Sequence, residues 1–250
     1  MRKKSVVITG GNRGIGFDIT TAFVDAGYEV FIGARNDDGL EKKLGSAAHF
    51  IRVDVCNESD HVNLVNSAIA ETGGLNVYIN NAGFSEWRSI ENINEQFLDK
   101  IISTNLKSVF WGCKAALAKM ESGASIINVS SIAGKRGSSN NSAYCATKFG
   151  VNAVTQSLAK EVGKRNIRVN AVCPVIIPTQ GLLDALSQPE SPAAGQDVEK
   201  FIENFRNSQA ALPNLPSGKE VAKSCLFLAS DEASAITGQC INIDCGVFPQ

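Results

Sequence analysis

The chain has 250 residues, 44% hydrophobic and 20% charged, which is enough apolar side chain to bury a full core. A formal net charge of -1 leaves no basic face for nucleic acid, and no block of like charge forms a tail for a membrane surface. The seven cysteines are odd in number and contain no C-x-x-C pair, so they argue against a disulfide framework or a zinc site and fit a reducing cytoplasm.

In chain order, Met1, Arg2, Lys3 and Lys4 lead into the apolar run Val6 to Ile8, too brief for a signal-peptide core or a membrane span. It reads as a first strand. Short β-rich runs recur at Ser5–Thr9, Glu29–Gly33, His49–Val53, Leu75–Asn80, Ala124–Ser130, Ile167–Cys173 and Gln239–Asp244, with amphipathic helical patterns between them. Strands separated by helices pair in parallel through right-handed crossovers. The expected fold is therefore α/β: a single doubly wound, Rossmann-type domain over 1–250, with about seven parallel strands flanked by helices on both faces. Ligands of such a sheet sit at the carboxyl ends of its strands. Between Val175 and Pro216 lie five of the seven prolines and one helical pattern, from about Asp197 to Ala210. A long irregular stretch at the ligand edge reads as a substrate lid.

After the first strand comes T-G-G-N-R-G-I-G, which puts Gly10, Gly14 and Gly16 at a strand-to-helix turn where backbone must approach a pyrophosphate closely. The spacing is G-x-x-x-G-x-G, so the generic fingerprint is met only approximately. About 20 residues further on, a fold of this kind that takes NAD places an acid at the end of strand two. Ala34 holds that position here, Arg35 follows it, and Arg13 lies inside the glycine turn. Two guanidinium groups in place of an acid suit a 2′-phosphate and point to NADP(H). The alternative is that both arginines are merely solvated.

In the helical pattern S-A-Y-C-A-T-K, Tyr144 and Lys148 stand at i and i+4 and share one face. An ammonium group there would lower the phenol's pKa of about 10 and suit it to proton exchange with an alkoxide. A bare Y-x-x-x-K also recurs by chance in helices. Ser131, at the end of the fifth strand, can donate to a substrate oxygen; otherwise it caps the strand. Asn105 interrupts the amphipathic pattern from Asn94 to Met120, where it can open the backbone or simply lie at the surface. His49 and His61 lie in unrelated segments and read as structural or surface residues, with no metal site implied.

Together, T-G-G-N-R-G-I-G, N-N-A-G at Asn80–Gly83, Asn105, Ser131, Y-x-x-x-K and the closing I-T-G-Q-C-I-N-I-D-C-G resemble the motif set of the short-chain dehydrogenase/reductase family, in particular its 3-oxoacyl-(acyl-carrier-protein) reductases. The resemblance runs the length of the chain. It implies a proton-exchanging Tyr144, a Ser131 that polarises the carbonyl, a Lys148 that also binds the nicotinamide ribose, and an Asn105 that anchors a water. It further implies a cofactor-binding set of Gly10, Asn12, Arg13, Gly14, Ile15, Gly16, Arg35, Asp54, Val55, Asn81, Ala82, Gly83, Tyr144, Lys148, Pro174, Ile177 and Thr179. Asp54 would contact adenine, and Ile177 and Thr179 would meet the carboxamide and diphosphate.

Two positions depart from the family pattern. Val175 follows Pro174 where glycine is usual, and Cys245 stands inside the Asp244–Gly246 turn where glycine is common. The implied activity is NADP(H)-dependent interconversion of a carbonyl and an alcohol on a small molecule, with no nucleic-acid or membrane partner. An NADPH-binding sensor without turnover is the alternative, and the short C-terminal region speaks against an extended-fold epimerase. Phe84, Trp87 and Arg88, with Lys135 and Arg136, border the expected substrate cleft; the aromatic residues could flank a ring or chain and the arginines could meet an anionic group, with solvated rim charge the favoured alternative. Surplus apolar positions at Asn94–Met120 and Ser142–Lys164 imply a homo-oligomer, a dimer or tetramer in the family.

Overall fold

A computed structural model describes residues 3–249; Met1 and Arg2 of the leading basic run lie outside the described residues. Seven parallel strands form one sheet in the order β3-β2-β1-β4-β5-β6-β7. They are β1 (Ser5–Thr9), β2 (Glu29–Ala34), β3 (Ala48–Arg52), β4 (Val77–Asn80), β5 (Ser125–Val129), β6 (Arg168–Pro174) and β7 (Cys240–Ile243). The expected doubly wound α/β sheet is present. Each strand boundary lies within two residues of its expected place: β1 is unchanged, β4, β5 and β7 are shorter, β2 is longer, and β3 and β6 are shifted by one residue.

The two sheet faces follow the period of two along each strand. Val7, Phe31, Tyr78, Ile126 and Val169 pack under α3 (Glu58–Thr72), α5 (Ser108–Leu117) and α6 (Ser142–Val162). Val6, Ile8, Val30, Ile32, Ile79, Ile127 and Val172 pack under α1 (Gly14–Asp25) and α9 (Gly218–Ala229). Both faces are covered, so the strands read as near-continuous apolar runs. A short α2 (Leu40–Leu44) joins β2 to β3.

The pattern from Asn94 to Met120 is not one helix. It is α4 (Glu95–Ile102), a π-helical turn over Ser103–Lys107, and α5. Asn94 caps α4 by accepting from the Phe97 amide at 2.9 Å. The segment between β6 and α9 holds the expected helix as α8 (Val198–Gln209), capped by Asp197. It also holds a further helix, α7 (Gln180–Leu186), capped by Thr179. That helix is short, and its Gly181 masks the helical period.

His61 is fully buried on α3. Its Nε2 lies 2.9 Å from the Val55 carbonyl and its Nδ1 lies 2.8 Å from the Tyr78 hydroxyl. A carbonyl can only accept, so Nε2 carries the proton and Nδ1 accepts from the phenol. Burial holds the imidazole below its ordinary 6.5, against the opposing pull of Asp60, Asp54 and Glu58. A depressed folded pKa contributes stability that is full above the unfolded value and is lost as pH falls towards the folded one. Thermal melts are therefore expected to show a fall in stability beginning below about pH 6.5, and the part carried by this residue should vanish in His61→Phe.

Candidate active site

Chain order reverses between β1 and β4, and the loops leaving their carboxyl ends must separate. Thr9 and Asn81 hold that opening. The Thr9 hydroxyl accepts from the amides of Asn81 and Ala82 at 3.0 and 3.1 Å, while Asn81 Nδ2 donates to the carbonyls of Thr9 and Gly10, both at 3.0 Å. Thr9 was not singled out from sequence. Its place at the end of the first strand, before the glycines, was the available signal.

Gly10 takes a φ of +65°, and its amide donates to Gly33 at 2.8 Å, which fastens the turn to the end of β2. A Cβ on Gly16 would lie 2.0 Å from the Gly10 carbonyl oxygen, so no other residue fits. α1 begins at Gly14 with no side chain capping its free amides. An uncapped helix start facing a glycine cradle suits a pyrophosphate. Thr179, at the start of the lid, packs against Gly14. Ile15 and Ala82 are half-buried beside the turn, and Ile177 lies in the core.

Arg13 and Arg35 are both exposed, Arg13 at the start of α1 and Arg35 just past β2. Asn12 does not point its amide into the cradle. That group donates to Asp38 Oδ2 at 2.6 Å and to the Asn36 carbonyl at 3.2 Å. Asp38, four residues beyond the end of β2, has its carboxylate engaged by Asn12. Asp54 is exposed after β3, its Oδ1 accepting from the Cys56 amide at 3.0 Å, and the next residue, Val55, is the one tied to His61.

Tyr144 and Lys148 share a face of α6. Lys148 is 6% exposed, its Nζ donates to the Val129 carbonyl at 2.9 Å, and it lies 5.7 Å from the centre of the Tyr144 ring. Burial pushes the Tyr144 hydroxyl up to about 12, against a hydrogen bond with Ser131 that lowers it. Burial also brings the Lys148 ammonium down to about 8. Within the protein's own atoms desolvation dominates the phenol, whereas the lowering expected of Lys148 is one shared with the cationic oxidised nicotinamide. The resting site keeps Tyr144 protonated. Ser131 Oγ accepts from the Ala133 amide at 3.1 Å and donates weakly to the Pro174 carbonyl at 3.4 Å.

Asn105 lies in the π-helical turn, 1% exposed. Its Oδ1 accepts from the Phe84 amide at 3.0 Å and its Nδ2 donates to the Phe84 carbonyl at 2.8 Å. The side chain therefore binds the loop after Gly83, and any water-holding role falls to the opened backbone, a common use of π-turns. Beneath the site, Asn80 donates to Asn128 at 2.9 Å and Asn128 donates to Thr155 at 2.9 Å, a buried chain with its polar atoms paired.

The two departures resolve differently. Val175 is buried, its amide donates to Ile243 at 3.2 Å, and its φ is not left-handed, so valine fits there without strain. Cys245 holds a φ of +53°, and its carbonyl accepts from the amides of Ala211 and Leu212 at 2.9 and 3.1 Å. It anchors the end of the lid segment at some cost in backbone strain. All seven cysteines are free, and among the described residues no group of side chains could hold a metal ion and no helix is long and apolar enough to cross a membrane.

Residues 10–248 match the family model described as enoyl-(acyl carrier protein) reductase. The chain belongs to the short-chain dehydrogenase/reductase family. A 3-oxoacyl-(acyl-carrier-protein) reductase from Chlamydia muridarum is 36% identical over 98% of this chain and 97% of its own length. Among solved structures, the aldohexose dehydrogenase of Thermoplasma acidophilum is 31% identical, with a TM-score of 0.87 over 100% of this chain and 98% of its own. A variant of actinorhodin polyketide ketoreductase, solved with NADPH, is 27% identical, with a TM-score of 0.89 over 98% of this chain and 97% of its own. As a short-chain dehydrogenase/reductase, the protein is a nicotinamide-linked oxidoreductase acting on CH–OH or C=O groups of small molecules.

Asn105→Ala would leave the Phe84 amide and carbonyl without partners. A loss of about 1–3 kcal/mol is expected in denaturant unfolding.

Proposed function

We propose that the protein is an NADP(H)-dependent carbonyl reductase or alcohol dehydrogenase in which Tyr144 exchanges the proton. The observation that carries this reading is the placement of Tyr144 and the buried Lys148 on one face of α6, the ammonium 5.7 Å from the centre of the phenol ring, at the carboxyl edge of the sheet where Ser131 follows β5. A bound nicotinamide supplies or accepts the hydride.

In reduction, the substrate carbonyl oxygen accepts from Ser131 Oγ and Tyr144 Oη. Negative charge grows on that oxygen as the carbonyl carbon is reduced, and Tyr144 Oη transfers its proton there to give the alcohol. Lys148, carrying a proton at neutral pH, offsets the charge left on the phenolate and is free to donate to ribose hydroxyls. The opened backbone around Asn105 supplies the place for a water that returns the proton from solvent. In oxidation the same groups act in reverse.

Residues 10–16 with Thr179 form the diphosphate cradle, Asp54 and Val55 line the adenine side, and Asn81 to Gly83 line the adenosine face. Pro174 and Ile177 border the nicotinamide end. Arg13 and Arg35 take the 2′-phosphate, each through charge-assisted hydrogen bonds. Exposed Phe110 and Phe149, with a groove of about 420 Å³ lined by Trp111, Leu117 and Leu158, support association into a dimer or tetramer through α5 and α6. The whole chain acts as one catalytic unit, and its free thiols suit the cytoplasm.

Tyr144→Phe is expected to lose turnover by at least about a thousandfold while NADPH binding, followed by fluorescence, is retained; turnover at the unmutated rate would overturn the assignment. NADPH should bind about tenfold or more tightly than NADH, and Arg35→Ala should shrink that ratio. Equal affinities in the unmutated protein would refute the 2′-phosphate reading.

A further inference from the structure

Three loops meet at Glu190, whose carboxylate and main-chain oxygen each bind a different neighbour. Glu190 stands between α7 and α8. Its Oε2 accepts from the Ser89 amide, its Oε1 accepts from Asn92 Nδ2 at 2.6 Å, and its main-chain oxygen accepts from Asn140 Nδ2 at 3.1 Å. Asn140 in turn accepts from the Arg88 amide at 2.6 Å and holds a left-handed φ of +57°. The lid is thus knotted to the loop after β4 and to the loop that leads into α6. The bonds to Ser89 and Asn92 keep the Glu190 carboxyl below the usual carboxylate range, so it is ionised at neutral pH.

Beside the knot lies a cavity of about 220 Å³, lined by Glu86, Trp87, Arg88, Asn92, Gln188 and Glu190 among others. It adjoins the catalytic helix, because Arg88 stacks 4.2 Å above Phe97, which packs in one cluster with Ala143 and Tyr144. A space this size is below the range of pockets that hold drug-sized ligands and suits a small molecule.

The cations near the cleft are already engaged. Arg88 pairs with Glu86 at 2.6 Å, Lys135 donates to the Cys240 carbonyl at 2.6 Å, and Arg136 stacks 5.2 Å from the Phe248 ring. Among the residues lining the cavity, Glu86 and Glu190 against Arg88 leave one net negative charge, which repels an anion entering there and does nothing against a neutral polar molecule, while Lys135 and Arg136 lie outside that lining.

We propose that Glu190 is a specificity-determining residue: by tying the lid across a small, net-negative mouth, it restricts the site to small uncharged polar carbonyl compounds and the matching alcohols, against anionic and carrier-linked ones. The inference rests on the oxidoreductase reading above and narrows its substrate class.

Two measurements test it. Hydrogen exchange on the ligand-free protein should show faster exchange in segments 86–92 and 182–194 for Glu190→Ala than for the unmutated chain, with Glu190→Gln between them. NADPH affinity should stay the same in all three. Steady-state reduction of diacetyl, dihydroxyacetone, acetoacetate and acetoacetyl-coenzyme A should then give kcat/KM for the better uncharged compound at least tenfold above acetoacetate in the unmutated protein. Glu190→Ala should raise acetoacetyl-coenzyme A relative to diacetyl by a similar factor. Preference for acetoacetate or the thioester in the unmutated protein, or unchanged exchange and unchanged ratios in Glu190→Ala, would overturn the inference while leaving the redox reading intact. Tight NADPH binding with none of the four reduced would strike the redox reading, and the substrate class with it.

Discussion

The structure depends on keeping two loops apart at the one place where strand order reverses. Amides that leave a strand end lose their ladder partners, and buried amides must find others. The Thr9 hydroxyl and the Asn81 amide supply them by reaching across from β1 to β4 and back. The glycine turn can then curl over the sheet without a side chain, and the N-N-A-G loop can run beside it. Everything that could hold a dinucleotide is organised around that pair of residues.

A second constraint is the lysine buried under the site. Taking an ammonium group out of water is costly, and among the described residues the Lys148 ammonium has one hydrogen-bond partner, the Val129 carbonyl, besides the face of the Tyr144 ring. A group with three donors and one partner is incompletely satisfied, and such groups mark places where a further ligand belongs. The neighbouring half-buried phenol is pushed towards its neutral form by the same loss of water. The polar chain Asn80–Asn128–Thr155 below is fully paired, so the sheet under the site is rigid while the unspent hydrogen-bonding capacity faces the cleft.

The lid is held at three points with different physics. Thr179 rests on the glycine turn, Glu190 is tied by hydrogen bonds to two loops, and the strained Cys245 carbonyl takes the amides at the far end. A segment read from its prolines as irregular is therefore two capped helices on defined anchors. The glycine turn, the cavity beside Glu190 and the C-terminal turn are connected through it.

The strand-helix alternation, the glycine turn, the Tyr144–Lys148 pair, Ser131 and α8 were all legible in the sequence, because each rests on a local rule: period, spacing or turn chemistry. Asn105 was legible as an interruption, although its partner, Phe84, was not. What only the tertiary structure decided depends on residues far apart in the chain. Thr9 meets Asn81, Asn12 meets Asp38, His61 meets Tyr78, and Glu190 meets Ser89 and Asn92. Burial adds an upward pull on the Tyr144 hydroxyl that helical spacing does not reveal, since desolvation is a property of the packed surroundings. The strain at Cys245 and its absence at Val175 were likewise set by backbone conformation, which a residue's identity constrains without determining.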